Sequence, residues 1–103
     1  MKIKTGQTVY QDILSLDIDN NPVTSGVTFD AIAILNGAEY TGATINMSLI
    51  DASRGLFLAS WSSNTIGDYQ IYIKNNTTNV IFVSDSVNLR PDSEFDNIFY
   101  IGL

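Results

Sequence analysis

The sequence specifies an all-β domain, an antiparallel β-sandwich of about seven short strands with an extended C-terminal tail. Three observations carry that expectation. Apolar residues recur with period two rather than 3.6 along most of the chain. Clusters of Asn, Asp and Gly interrupt that period about every 8–12 residues, the spacing of sandwich strands. No segment holds a helical period for long, which leaves room only for a short helical turn near Ala52 or Asp92.

The elements follow in order. From Tyr10, the apolar Leu14, Leu16 and Ile18 share one parity, and Gln11, Ser15 and Asp17 the other, so even positions are expected to face the core. Asp19-Asn20-Asn21-Pro22 then stops the ladder. A second strand spans Val27 to Leu35, with Val27, Phe29, Ala31, Ala33 and Leu35 on one face. Ile32 and Ile34 make its other face partly apolar, so it is expected to be central or covered on both sides. Asn36-Gly37 tolerates positive φ twice and suits a type I′ hairpin turn, with a short strand around Glu39 to Thr41 pairing back. Thr44 to Leu49 turns Ile45, Met47 and Leu49 one way. Asp51 to Gly55 is a turn. Leu56 to Ser62 presents Phe57, Ala59 and Trp61, and Asp68 to Asn75 presents Tyr69, Ile71 and Ile73. Asn75 to Asn79 turns again. Val80 to Leu89 is the last strand, with a bulge or change of face at Ser84-Asp85-Ser86. Small barrels share this linear pattern, and Trp61 anchors the core in either architecture.

Composition excludes much chemistry. The chain has 103 residues and 45% hydrophobic content, enough for one self-supporting core. It has no Cys, so it has no disulfide framework, no thiolate metal site and no thiol catalysis. It has no His, the commonest general base and transition-metal ligand. A formal charge of −6 argues against nucleic acid as a partner. Met1 to Gln7 carries two lysines but no apolar stretch after them, so no secretory signal is expected. No apolar run approaches a membrane span. Synthesis in the cytoplasm follows as an expectation, and the glycosylation sequons at Asn46, Asn75 and Asn76 read as chance.

The division expected is an N-terminal arm at 1–8, a sandwich at 9–90 and a tail at 91–103. The tail breaks the pattern. Pro91 interrupts pairing, Asp92 to Asn97 is acidic, and Ile98-Phe99-Tyr100-Ile101-Gly102-Leu103 is almost wholly apolar. Either it forms the last strand of its own sheet, or Ile98, Phe99, Tyr100, Ile101 and Leu103 form an assembly interface on a neighbouring subunit.

Candidate sites are few. Asp17-Ile18-Asp19-Asn20-Asn21 begins like a calcium loop. The positions that need Gly and a bidentate Glu hold Pro22 and Thr28, so a turn capped by its own side chains is the better account. Metal and cofactor are both expected to be none. A Ser–Lys dyad would have to draw on Lys2, Lys4 or Lys74, and no G-x-S-x-G elbow exists, so no enzymatic activity is expected. Tyr40 and Tyr72 fall at outward positions and, with Tyr100, are candidates for an aromatic platform that stacks on carbohydrate; cross-strand pairing is the plainer account.

Asp19-Asn20-Asn21-Pro22-Val23-Thr24, Gly55-Leu56-Phe57-Leu58-Ala59 and above all Gly67-Asp68-Tyr69-Gln70-Ile71 resemble the turn and core-strand motifs of small immunoglobulin-like modules. Without a Cys–Trp–Cys arrangement the antibody type is excluded. Such modules occur in bacterial surface proteins and tailed-bacteriophage virions, and the lack of a secretory signal favours the virion. The resemblance covers about three quarters of the chain. It implies a non-enzymatic virion protein that decorates or cements a capsid, forms homo-oligomers and contacts the major capsid protein or tail proteins. The alternatives are a tail, baseplate or fibre adaptor, and a carbohydrate-binding or adhesion module. No ligand residues carry over.

Overall fold

The computed structural model describes residues 1–91. The expected assembly positions Ile98, Phe99, Tyr100, Ile101 and Leu103 lie outside the described residues. The described residues form nine strands in chain order: β1 (Lys2–Lys4), β2 (Val9–Leu14), β3 (Phe29–Leu35), β4 (Ala38–Tyr40), β5 (Asn46–Asp51), β6 (Leu56–Trp61), β7 (Gly67–Asn75), β8 (Ile81–Val83) and β9 (Val87–Arg90). They form two sheets. One runs β1-β9-β7-β3-β4, with β8 also paired to β7; the other runs β2-β6-β5. The sandwich class and the seven expected strands are present. The extra two come from β1 and from the division of the last expected strand into β8 and β9.

The segment expected as an arm, 1–8, contributes β1, which pairs in parallel with β9 from Lys2 opposite Asn88 to Lys4 opposite Arg90. The larger sheet is therefore mixed rather than purely antiparallel. Thr5 N–H donates to Arg90 O at 3.0 Å and Gly6 N–H to Ser63 O at 2.7 Å, so the chain is tied to β9 and to the connection after β6 before β2 begins.

The parity expected for β2 is inverted. Val9 and Ile13 are buried, while Tyr10, Leu14 and Ile18 are 62%, 58% and 98% exposed. Pairing supplies the reason. Directly opposite residues share a face, and Val9, Gln11 and Ile13 lie opposite Trp61, Ala59 and Phe57, the buried face of β6. Both parities of 9–16 carry apolar residues, so the partner strand decides which turns inward.

β3 is central, between β7 and β4, but its second face is not covered: Ile32 is 42% exposed. The Asn36-Gly37 turn has φ of 50° and 87°, as a type I′ hairpin requires, and β4 pairs back on β3. In β5, Ile45 just before the strand and Met47 pack on the core, but the register slips between Leu49 and Asp51 and leaves Leu49 exposed.

The bulge near Ser84 is present. Val83 lies opposite Tyr72 and Val87 opposite Tyr69, so a step of four residues answers a step of three on β7. Ser84 fills the step: its N–H donates to Ile71 O, and its Oγ accepts from Ile71 N–H, both at 2.9 Å. Inward parity changes there, from Phe82 to Val87 and Leu89.

The core joins Val9, Ile13, Phe57, Ala59 and Trp61 of one sheet to Ala33, Tyr69, Ile71, Ile73, Val87 and Leu89 of the other. Each large apolar side chain buried there contributes about 1.5–3 kcal/mol. Tyr69 is fully buried, with its ring centroid 5.1 Å from that of Trp61. Its hydroxyl donates to Thr65 O at 2.7 Å and bonds Ser63 Oγ at 2.9 Å. This is a tyrosine corner at the entry of β7, and it gives the Gly67-Asp68-Tyr69 motif a physical role. At the opposite end, Asn75 Nδ2 donates to Ser15 Oγ at 2.8 Å, and Asn75 Oδ1 accepts from Thr77 and Thr78 N–H at 2.9 and 3.1 Å. That bond ties the end of β7 to the chain leaving β2.

Candidate functional site

Among the described residues, β1 and β4 bound the larger sheet, β2 and β5 bound the smaller one, and β8 has only β7 as a partner. An open edge invites pairing with another chain unless charge, shortness or irregularity blunts it. β1 carries Lys2 and Lys4. β4 has three residues and carries Glu39. β5 is broken by its register slip. β2 offers six regularly paired residues with one acid, Asp12, and β8, as short as β4, carries no charge, reading Ile-Phe-Val after Val80.

These two edges face each other across one side of the sandwich. Three hollows follow one another along β2 and its continuation. The first, about 300 Å³, lies beside Val9 to Gln11 and reaches Ser84 and Val87. The second, about 320 Å³, lies beside Asp12 to Leu14 and reaches Ile73 and Phe82. The third, about 530 Å³, lies beside Leu16 to Ile18 and reaches Val80. Buried Ile71 and Ile73 form part of the floor, and exposed Tyr10, Leu14, Ile18, Val80 and Ile81 form the rim. The apolar surface continues onto the outer face of the larger sheet, where Val83, Tyr72 and Ile32 make one transverse row across β8, β7 and β3. Scattered exposed apolar residues are ordinary; here they form a contiguous series along two open strand edges.

The sequence did not single out these rim residues. The signal was present in two segments. Both 9–16 and Val80-Ile81-Phe82-Val83 carry apolar side chains on both parities, and a strand at an edge cannot bury both.

The aromatic candidates separate. Tyr40 packs on the core, with its ring centroid 5.9 Å from that of Tyr69 and its hydroxyl 2.9 Å from Thr65 Oγ1. The Thr65 bond, then a contact with Ser63, holds its phenol below the ordinary value. Tyr72 points outward between Ile32 and Val83, so the two do not share a stacking platform. Tyr100 lies outside the described residues.

The acidic turns cap themselves. Asp17 Oδ1 accepts from Asp19 and Asn21 N–H, both at 2.9 Å. Asp51 Oδ1 accepts from Ser53 N–H at 3.0 Å, and Arg54 Nε donates to Asp51 Oδ2 at 2.8 Å. Ser53 first and Arg54 second hold the Asp51 carboxyl below the ordinary carboxylate range. Asn88 Nδ2 reaches Asp68 Oδ1 at 2.6 Å and Arg90 Nη2 reaches it at 2.9 Å; these bonds, Asn88 first, lower the Asp68 pKa and fasten β9 to β7. Among the described residues no three acidic side chains gather closely enough to hold a metal ion, and no helix is long and apolar enough to cross a membrane.

The parallel β1–β9 pair, the β7–β3–β4 order opposite β2-β6-β5 and the tyrosine corner together define the architecture. The chain has an immunoglobulin-like fold. The crystal structure of the Lin-41 filamin domain superimposes on it with a TM-score of 0.62, covering 86% of this chain and 82% of that one at 18% identity. At that identity the likeness is one of fold. No protein-family model and no curated protein matches the chain.

Proposed function

We propose that this immunoglobulin-like domain is a non-catalytic assembly module, and that it contacts protein partners through the side of the sandwich where β2 and β8 face each other. The observation that carries the reading is the juxtaposition of two open strand edges with a continuous apolar rim, Tyr10, Leu14, Val80 and Ile81. Such a surface offers a partner backbone hydrogen bonds from the edges and apolar burial from the rim, the two components of strand addition. The negative net charge keeps free subunits apart before assembly.

The setting supported by the sequence resemblance is a tailed-phage virion, with the domain decorating or cementing the capsid among copies of the major capsid protein. Repetition over a shell turns modest contacts into firm attachment. The test is the copy number in particles that carry the chain, measured for the native sequence and for Leu14→Lys/Ile81→Lys. Hundreds of native copies per shell and loss of the variant are the expected result. A single ring of copies moves the chain to the tail or baseplate, and undiminished incorporation of the variant refutes the proposed surface.

A further inference from the structure

We propose that the occupant of the β2–β8 seam is the apolar segment Ile98–Leu103 of a second copy of this chain, exchanged reciprocally in a two-fold dimer. The inference rests on the assembly reading above and names the partner of that surface.

Four observations converge on it. The seam is lined by Ile71, Ile73, Leu14 and Ile81, and the charged side chains beside it in the first two hollows are acidic, Asp12 and Asp85. An occupant with acidic side chains is therefore disfavoured, and one with apolar side chains is favoured. Twelve residues follow Pro91, and the last six, Ile-Phe-Tyr-Ile-Gly-Leu, carry no charged side chain. Six residues in extended form span about 20 Å, the reach of a six-residue strand such as β2.

The end of β9 offers no free edge for the residues that follow it. A segment leaving β9 would ordinarily turn back along β9's outer edge, but β1 holds that edge from Asn88 to Arg90. Thr5 N–H also occupies Arg90 O, and Pro91 has no N–H to give. The Arg90–Asp68 pair anchors β9 at the point of departure. The acidic stretch Asp92 to Asn97 then suits a solvated crossing between two bodies. Reciprocal exchange satisfies both seams with one contact type, the self-complementary arrangement of a two-fold dimer.

The experiment uses the full chain and two double variants, Leu14→Lys/Ile81→Lys in the seam and Phe99→Asp/Ile101→Asp in the segment, weighed by size exclusion with light scattering. The native chain is expected at twice its 11.3 kDa. Each variant is expected as a monomer with unchanged circular dichroism. A mixture of the two variants regains a dimer, because one intact seam then meets one intact segment. The inference is overturned by a monomeric native chain, by dimers that persist in either variant, or by a mixture that stays monomeric. A monomeric native chain whose seam variant still drops out of particles refutes the exchange and leaves the assembly reading standing. A seam variant that changes neither mass nor incorporation refutes both. If the seam variant loses its fold, Tyr10→Lys, at the 62% exposed rim position, replaces it.

Discussion

Replacing Tyr69 by Phe removes one oxygen from the most enclosed aromatic ring of the domain. The ring keeps its contacts with Trp61 and Tyr40, because Phe retains the six-membered ring in the same place. What is lost is the bond to Thr65 O at 2.7 Å and the bond to Ser63 Oγ at 2.9 Å. A net hydrogen bond contributes about 0.5–1.5 kcal/mol. Thr65 is exposed, so water partly replaces the lost donor there. Ser63 is 7% exposed, and its Oγ keeps the bond from Thr65 N–H at 3.1 Å and the contact with Tyr40. The expected cost is about 1–2 kcal/mol, which for a domain near this size lowers the melting temperature by roughly 5–15 °C. Urea unfolding followed by far-ultraviolet circular dichroism reads the change as a lower midpoint at constant slope. Tyr72→Phe, at an outward position, serves as the control and is expected to leave the midpoint unchanged. A loss below about 0.5 kcal/mol in Tyr69→Phe refutes the argument that the corner stabilises the entry of β7.

Other outcomes follow from the same contacts. Ile13→Ala is expected to cost about 2–4 kcal/mol and Leu14→Ala under about 1 kcal/mol in the same unfolding assay, because Ile13 is buried and Leu14 is on the rim; the reverse order contradicts the register of β2. Gly55→Ala is expected to destabilise by at least about 2 kcal/mol, since Gly55 has φ of 68° and a Cβ there meets the Ser15 carbonyl; a neutral result in thermal melts contradicts that approach. Asp68 has a folded-state pKa below its unfolded value, so its contribution to stability is present above the unfolded value, roughly 3.9, and is lost as pH falls through the folded one. Stability is therefore expected to decline below about pH 4, with a small amplitude because the pair is exposed. Asp68→Asn is expected to flatten that decline, and an identical pH profile for the variant contradicts the assignment.

Most of the fold was legible because polar turns bound each segment of period two. Tyr69, Ile71 and Ile73, set against Asp68, Gln70 and Lys74, left only one way for β7 to face, and the aromatic Phe57 and Trp61 marked the inner face of β6. Asn36-Gly37 specified its hairpin through the positive φ that both residues tolerate. Ser84-Asp85-Ser86 marked a break because three small or polar residues interrupt a β-branched run, and the bulge sits there. β2 was misread for a physical reason. Val9 and Ile13 compete with Tyr10, Leu14 and Leu16 for the core, and the choice is made by the register with β6, a contact about fifty residues away in sequence. β1 was invisible because three residues alternating Lys-Ile-Lys look like a solvated arm until β9 is beside them. The seam was hidden for the same reason: an open edge is a property of which strand lacks a neighbour, and no local pattern states that.

The claim that the β2–β8 side is the contact surface is tested most directly by amide hydrogen exchange of the chain in its assembled particle, compared with the free chain. Slowed exchange at Val9–Leu14 and Ile81–Val83, with β4 and β5 unchanged, is the result expected. Protection that appears at β4 or β5 while β2 and β8 exchange as in the free chain contradicts it.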